Sequence, residues 1–245
     1  MAAPARRPAV IVCAVLEDEV AACLRDCDPR PSVTILEQGL HNEPDRLREQ
    51  LQATVDAVED RCPQADAVAL AYGLCSRGLV GLRSQRLPLV VPQVHDCISL
   101  LLGSAERYVA EMAAHPGTYW YSPGWNRHGD PPGPERMARV RATYAAEYGE
   151  DNADYLMASL EHWVHDYDRA VYVHQDTGDT AADAALTRRA AEHFGWSYQS
   201  LRGDPGLLYD LVTGRWDASR FCIAPAGCPL AMGDAPAILV PGAPE

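Results

Sequence analysis

LVVPQVHDCISLLLG, residues 89–103, predicts a buried strand that runs into a polar turn and then an apolar helix. The strand is Leu89–Val91 and the turn is His95-Asp96-Cys97. Imidazole, carboxylate and thiol groups bind metals and move protons, and here they stand where a strand ends. Asp96 is also a candidate helix cap, which would place Cys97 at a helix start and lower the pKa of its thiol.

Two upstream stretches repeat this design. VIVCA, residues 10–14, predicts a strand that runs into Cys13, and VALAYGLCSRG, residues 68–78, predicts one that runs into Cys75. Parallel strands of one sheet end at the same edge, so the three thiols would converge if their strands are neighbours. Cys13, Cys75 and Cys97 are therefore the candidate metal ligands, with His95 as a further one, since soft metals take three or four thiolates and imidazoles.

Strands alternate with helices along the whole chain, which indicates mainly parallel α/β sheets with right-handed crossovers. We expect two Rossmann-like lobes with a cleft between them. The N-terminal lobe spans residues 1–104 and carries the Cys/His site, the C-terminal lobe spans 105–225, and 226–245 form an extended tail. Each lobe is expected to hold about four strands. The long helical region from Pro134 to Asp166 has polar faces, which suit exposure or contact with another subunit in a homodimer.

The composition excludes several functions. A formal net charge of -13 argues against a nucleic-acid backbone or an anionic membrane as partner. The chain contains no lysine, which excludes Schiff-base and phosphate-loop lysine chemistry. A genome of biased base composition would by itself also favour arginine over lysine. No apolar run approaches the ~18 residues that span a bilayer, and no apolar signal core precedes the first strand, so we expect a cytoplasmic protein.

The eight cysteines favour ligands, nucleophiles or small core residues over disulfides in a reducing compartment. No C-x-x-C pair occurs, so a thioredoxin motif or a zinc ribbon is not expected. Cys23 and Cys27 fall on the apolar stripe of a predicted helix, which favours a core role for both.

Four polar side chains near the predicted thiol edge are candidate catalytic groups. Glu19, one turn past Cys13, would be a general base or a ligand, and the alternative is a solvated carboxylate in a first helical turn. Arg77 would hold an anionic substrate group or lower the pKa of the Cys75 thiol. His41 follows the second predicted strand, and the alternative to a catalytic role is a polar neighbour of a helix cap. For His95 the alternative is a histidine that hydrogen bonds within its turn.

A second candidate position is HQDTGDT, residues 174–180, at a strand end before a helix. Backbone amides at such a place bind anions, so Asp176 and Asp179 are candidate cofactor-binding residues. No G-x-G-x-x-G occurs, so a dinucleotide fingerprint is absent.

Six stretches, distributed over nearly the whole chain, are specific in combination: VIVCAVLEDEV, LHNEPDRL, AYGLCSRGLVGL, PQVHDCISLLLGS, PGTYWYSPGW and LRGDPGLLYDLVTGRWD. Through them the chain resembles the uncharacterised family catalogued as domain of unknown function 1638. Members usually carry glycine where this chain has Ala14, and many carry it where this chain has Ser76. The resemblance implies an association with corrinoid proteins and methyltransferases, and hence with one-carbon metabolism.

Four functional hypotheses follow. The first is an enzyme that binds Zn²⁺ through the three cysteines, or with His95 in place of Cys13, and transfers a methyl or similar group of a small-molecule substrate. The second is a [4Fe-4S] Lewis-acid lyase or dehydratase on the same cysteines. The third is a non-catalytic accessory that binds a corrinoid, a metal or a partner protein. The fourth, a metal-free Cys97 nucleophile with His95 as base, ranks last, because residues two apart rarely face each other productively.

Overall fold

The computed structural model describes residues 6–234 and 237–244, apart from the side chain of Glu161. Within them, the chain is mixed α/β and most paired strands are parallel, as predicted. The strands are β1 (Pro8–Cys13), β2 (Val33–Leu36), β3 (Ala67–Ala71), β4 (Leu89–Pro92), β5 (Thr118–Tyr121), β6 (Arg169–His174), β7 (Ser197–Arg202), β8 (Phe221–Ala224), β9 (Leu230–Met232) and β10 (Leu239–Pro241). The α-helices are α1 (Glu17–Cys23), α2 (Pro44–Arg61), α3 (Cys97–Leu102), α4 (Ala105–Ala114), α5 (Pro123–His128), α6 (Pro134–Tyr148), α7 (Glu150–Leu160), α8 (Thr180–Phe194) and α9 (Gly206–Thr213). No helix in the described ranges is long and apolar enough to cross a membrane.

The chain divides into two units, and the first contains the described residues up to Tyr108 and from Gly203 onward. Its five-stranded sheet has the order β2-β1-β3-β4-β8, and β1 to β4 are parallel to one another. Every residue of β1, β3 and β4 is buried, which is typical of parallel strands covered on both faces. The sequence of α2 has apolar residues at helical spacing, and all of them are buried: Leu47, Leu51, Val55 and Val58.

The division differs from the sequence prediction. The second unit spans Val109–Arg202, so residues 203–225 belong to the first unit and not to a C-terminal lobe. The reason is β8, which pairs antiparallel with β4. Residues 226–245, predicted as an extended tail, contain the antiparallel pair β9 and β10.

Gln93, directly after β4, fastens this C-terminal segment. Its side-chain Nε2 donates to the Leu239 carbonyl at 2.7 Å, and its Oε1 accepts from the backbone N–H of Ile238 and Leu239. Its backbone N–H donates to the Arg220 carbonyl at 2.8 Å. One side-chain amide therefore pairs with β10 as a neighbouring strand would, which explains why this region is not a free tail.

The second unit contains the parallel sheet β5-β6-β7. The structure shows three strands in its described residues, where the sequence predicts about four, because β8 joins the other sheet. Aromatic side chains form much of its core: Tyr121 is fully buried and donates to the Pro132 carbonyl at 2.9 Å, and Tyr119 stacks on Trp196 with ring centroids 5.9 Å apart. Tyr121 thus keeps its polar group hydrogen bonded inside this core.

A buried carboxylate fixes the loop that leads into β4. Glu59, in the last turn of α2, is only 4% exposed. Its carboxylate accepts four hydrogen bonds of 2.6 to 3.1 Å, from the Ser84 hydroxyl and from the backbone N–H groups of Gln85, Arg86 and Leu87. Burial raises the pKa of Glu59, but the four hydrogen bonds outweigh it and leave this pKa below its ordinary value. The charged form is therefore the one that holds the loop.

We predict that Glu59→Gln lowers the free energy of unfolding at pH 7 by about 2 kcal/mol, because hydrogen bonds to a charge are lost. A lowered pKa contributes stability above the unfolded-state pKa of about 4.3, and that stability is lost as the pH falls through the folded-state pKa. Urea unfolding should thus show a wild-type advantage at pH 7 that shrinks below about pH 4. Glu49→Gln, at an exposed position of α2, is the control. A loss of equal size at every pH would contradict the assignment.

Candidate metal centre

The candidate site lies at the carboxyl ends of three adjacent strands of the first unit. The sheet order places β3 between β1 and β4, so the strands that lead to Cys13, Cys75 and Cys97 are neighbours, as the metal hypothesis requires. Cys13 is the last residue of β1, and the other two cysteines follow β3 and β4 within a few residues. This edge is where ligands gather in open parallel sheets.

A close backbone contact joins the segments after β3 and β4. The backbone N–H of Leu74 donates to the Val94 carbonyl at 2.9 Å, and that of Cys75 donates to the His95 carbonyl at 3.1 Å. Gly73 permits this approach, because a Cβ there would lie 2.5 Å from the Asp96 nitrogen. The two loops are thereby held side by side, with the thiols of Cys75 and Cys97 at the same edge.

Cys75 begins a turn with an unusual backbone. Cys75, Ser76 and Arg77 have φ values of 45°, 57° and 66°, so three consecutive non-glycine residues are left-handed. The turn is closed by the Gly78 N–H, which donates to the Cys75 carbonyl at 3.0 Å. Left-handed backbone costs a non-glycine residue roughly 1–2 kcal/mol, and such strain clusters at functional sites. The surrounding fold therefore stabilises an unfavourable backbone conformation that presents Cys75 in this position.

Asp96 caps α3, which confirms the predicted helix start. The Asp96 side chain accepts from the Ser99 backbone N–H at 3.0 Å and from the Ser99 hydroxyl at 3.2 Å. Cys97 is consequently the first residue of the helix, which ends at Gly103 in the left-handed conformation. The cap fixes the direction in which the Cys97 side chain leaves the backbone.

Cys97 hydrogen bonds with both Cys13 and Cys75, and we call these three residues the thiol cluster. Hydrogen bonds with Cys13 and then Cys75, together with burial, raise the pKa of Cys97 well above its ordinary value. The expected lowering of this pKa by the helix start is therefore wrong. The pKa of Cys13 is lowered, first by the hydrogen bond with Cys97 and also by the Val15 backbone N–H, although burial opposes this. Cys13 has the additional donor, so it takes up negative charge before Cys97 does.

Tyr72 is a member of this site that the sequence analysis missed. The register of β1 and β3 pairs Val12 with Ala71, so the residues that follow, Cys13 and Tyr72, lie side by side. Tyr72 is 2% exposed, and burial, followed by the charges of the thiol cluster, raises the pKa of its hydroxyl. The hydroxyl approaches Cys13 without the geometry of an ordinary hydrogen bond, and it has no hydrogen-bond partner among the described residues. A hydroxyl at the end of a fully apolar strand was the available sequence signal.

The thiol cluster is not a preformed metal site. In the part of the chain that the structure describes, no group of three or more His, Cys, Asp or Glu side chains is arranged to hold a metal ion. Cys97 instead hydrogen bonds with Cys13 and with Cys75. Metal ligands must be deprotonated and must point at a common centre. Metal binding would therefore require these thiols to release protons and to rotate.

Three of the predicted catalytic side chains are exposed. His95 and Arg77 make no side-chain hydrogen bond or ion pair with another described residue. His41 is exposed, but the groups that cover part of its ring reduce its hydration and lower its pKa. The negative charge of Asp96 opposes that shift. Asp96 is therefore near His41, but among the described residues no hydrogen bond or ion pair joins either histidine ring to the thiol cluster. Their catalytic roles stay predictions.

Glu19 is 1% exposed, so the alternative that it is a solvated carboxylate is wrong. Burial, followed by the charge of Glu19, raises the pKa of Cys23 to about 11, which places Glu19 near that thiol on α1. Cys23 therefore stays protonated at neutral pH and is a poor ligand. A role for Glu19 as a base or ligand stays a prediction.

Asp176 and Asp179 make contacts within the second unit. Asp179 caps α8, because its Oδ1 accepts from the Ala182 backbone N–H at 3.2 Å. Asp176 lies between two basic side chains, with Oδ1 3.1 Å from His174 Nδ1 and Oδ2 2.7 Å from Arg202. Cofactor binding by this pair stays a prediction, and a cofactor would have to share these contacts.

We predict that Ser76→Gly raises the free energy of unfolding by about 1 kcal/mol, because glycine removes the cost of left-handed backbone at φ 57°. This corresponds to about 2–4 °C in Tm for a chain of this size. The matched control is Ser200→Gly, at an exposed position of β7, where glycine should cost about 0.5–1 kcal/mol. Thermal unfolding measures both, and a destabilised Ser76→Gly variant would show that the turn is not strained at this residue.

Comparison of the chain with known proteins finds a match to a protein family. The family described as "Protein of unknown function (DUF1638)" matches residues 35–212 of the chain. The matched range contains Tyr72, Cys75 and Cys97, whereas Cys13 lies before it. No curated protein and no solved structure matches the chain.

Proposed function

This chain belongs to the DUF1638 family, and we propose that it is a metal-dependent enzyme whose thiol cluster binds Zn²⁺. The observation that carries the proposal is the convergence of three thiols from the ends of three adjacent strands. Three protein ligands with one open position are the usual arrangement of a catalytic zinc ion. His95 remains the candidate that replaces Cys13 or completes the ligand set.

The conformation of the cysteines supports this choice over a purely structural role. Small buried cysteines need no particular backbone, but Cys75 stands in a strained left-handed turn and Cys97 on a capped helix start. The hydrogen bonds among the three thiols correspond to the protonated protein. Proton release and side-chain rotation would convert this arrangement into a ligand set, since metal and protons compete for the same sulfur atoms.

We propose transfer of a methyl or similar small group as the reaction. A bound Zn²⁺ would supply Lewis-acid activation of a substrate thiol or leaving group. Arg77, exposed and without an ion pair among the described residues, would bind an anionic group of the small-molecule substrate. His41, whose pKa is lowered by desolvation, would be neutral at pH 7 and able to accept a proton.

The resemblance to this family also supports a link to corrinoid and methyltransferase proteins as partners. That partnership, a homodimer, a cytoplasmic location and a substrate cleft between Rossmann-like lobes stay predictions. The [4Fe-4S] lyase and the non-catalytic accessory protein are hypotheses that use the same residues. One experiment, a metal analysis of the purified protein, therefore distinguishes them from the zinc enzyme.

We predict about one zinc ion per chain in protein purified without added metal, measured by elemental analysis. Cys97→Ser should lose this zinc, because it removes the central ligand. Cys222→Ser is the matched control, since Cys222 is buried in β8 of the same sheet and lies outside the thiol cluster.

Three other outcomes would replace the zinc proposal. Less than about a tenth of a zinc ion per chain, with Cys97→Ser unchanged, would end it. Iron with sulfide and a brown colour in an anaerobic preparation would identify the [4Fe-4S] alternative. A corrinoid protein that co-purifies with a metal-free chain would identify the accessory protein.

A further inference from the structure

Tyr72 carries an unusual energetic cost. It is 2% exposed, and its hydroxyl has no hydrogen-bond partner among the residues that the structure describes. A buried hydroxyl without a partner is destabilising, and phenylalanine would fill the same space without that cost. Tyr121, another fully buried tyrosine, has a hydroxyl with a partner, because it donates to the Pro132 carbonyl at 2.9 Å.

The position of the Tyr72 hydroxyl indicates what it is for. Register places Tyr72 beside Cys13 at the end of β3, and Cys75 follows three residues later. A phenol can donate one proton, and a protonated thiol is a weak acceptor. A thiolate is a much better acceptor, because hydrogen bonds to a charged group are roughly twice as strong as those between neutral groups. The donor is thus present in a place where only the deprotonated cluster can use it well.

We propose that Tyr72 is a positioning residue that donates a hydrogen bond to metal-bound sulfur, most directly that of Cys13. The proposal rests on the proposed function, since it requires the thiol cluster to bind a metal as thiolates. Donors around metal ligands orient those ligands and set their electron donation. Tyr72 would hold the Cys13 sulfur in the ligand orientation and withdraw electron density from it.

The test compares Tyr72→Phe with Tyr121→Phe in the full-length protein, with Zn²⁺ and Co²⁺ as probes. Tyr72→Phe should raise the Tm of the metal-free protein by about 2–4 °C, because it removes an unpartnered hydroxyl. It should also weaken Zn²⁺ binding by about 10–100-fold in competition with a chelator. Its Co²⁺ form should show the thiolate-to-metal charge-transfer band at longer wavelength than wild type, because the sulfur has lost a hydrogen-bond donor. A role in packing alone would not move that band.

Tyr121→Phe should behave oppositely, with a lower Tm and unchanged affinity and spectrum, because it removes a hydroxyl that is already paired in the second unit. If wild type binds metal and Tyr72→Phe binds it equally well with the same spectrum, the proposal for Tyr72 is overturned while the metal site stands. If metal-free Tyr72→Phe is less stable than wild type, the hydroxyl has a structural role and the proposal also fails. If wild type binds neither Zn²⁺ nor Co²⁺, the proposed function itself has failed.

Discussion

The contact between Gly73 and the backbone of His95-Asp96 is the constraint on which the candidate site depends. Two backbone hydrogen bonds, from Leu74 to Val94 and from Cys75 to His95, extend the pairing of β3 and β4 past the ends of the strands. Only a residue without Cβ fits there, because an added Cβ would lie 2.5 Å from the Asp96 nitrogen. Any larger residue would separate the loops, and the thiols of Cys75 and Cys97 would separate with them.

The site contains several features that lower the stability of the fold and that a purely structural region would avoid. Three left-handed non-glycine residues, an unpartnered tyrosine hydroxyl and a half-buried thiol of raised pKa lie at the carboxyl ends of β3 and β4. The fully buried strands beneath them supply the stability that tolerates these costs. Strain of this kind persists where the surrounding structure over-determines it, and it is a common property of binding and catalytic sites.

The same sheet shows how one strand changes the organisation of a chain. β8 pairs antiparallel with β4, on the side away from β3, and Gln93 then ties β10 to the end of β4. β4, the strand that leads to Cys97, is therefore an interior strand. Without β8, which comes much later in the sequence, β4 would be the edge strand of this sheet. An interior strand has both of its hydrogen-bonding edges satisfied, which makes the turn that follows it a rigid support.

The sequence by itself determined the mixed α/β class, the apolar stripe of α2, the cap at Asp96 and the three strand ends that bear thiols. These features are local, because burial runs, helical periods and caps depend on residues a few positions apart. Tertiary structure alone decided that β8 belongs to the first sheet, that Tyr72 lies beside Cys13, and that Glu19 is buried. It also decided the direction of the pKa shift at Cys97, since two other thiols, far away in sequence, outweigh the start of its own helix. Long-range pairing and burial have no local signature, so these results required the folded chain.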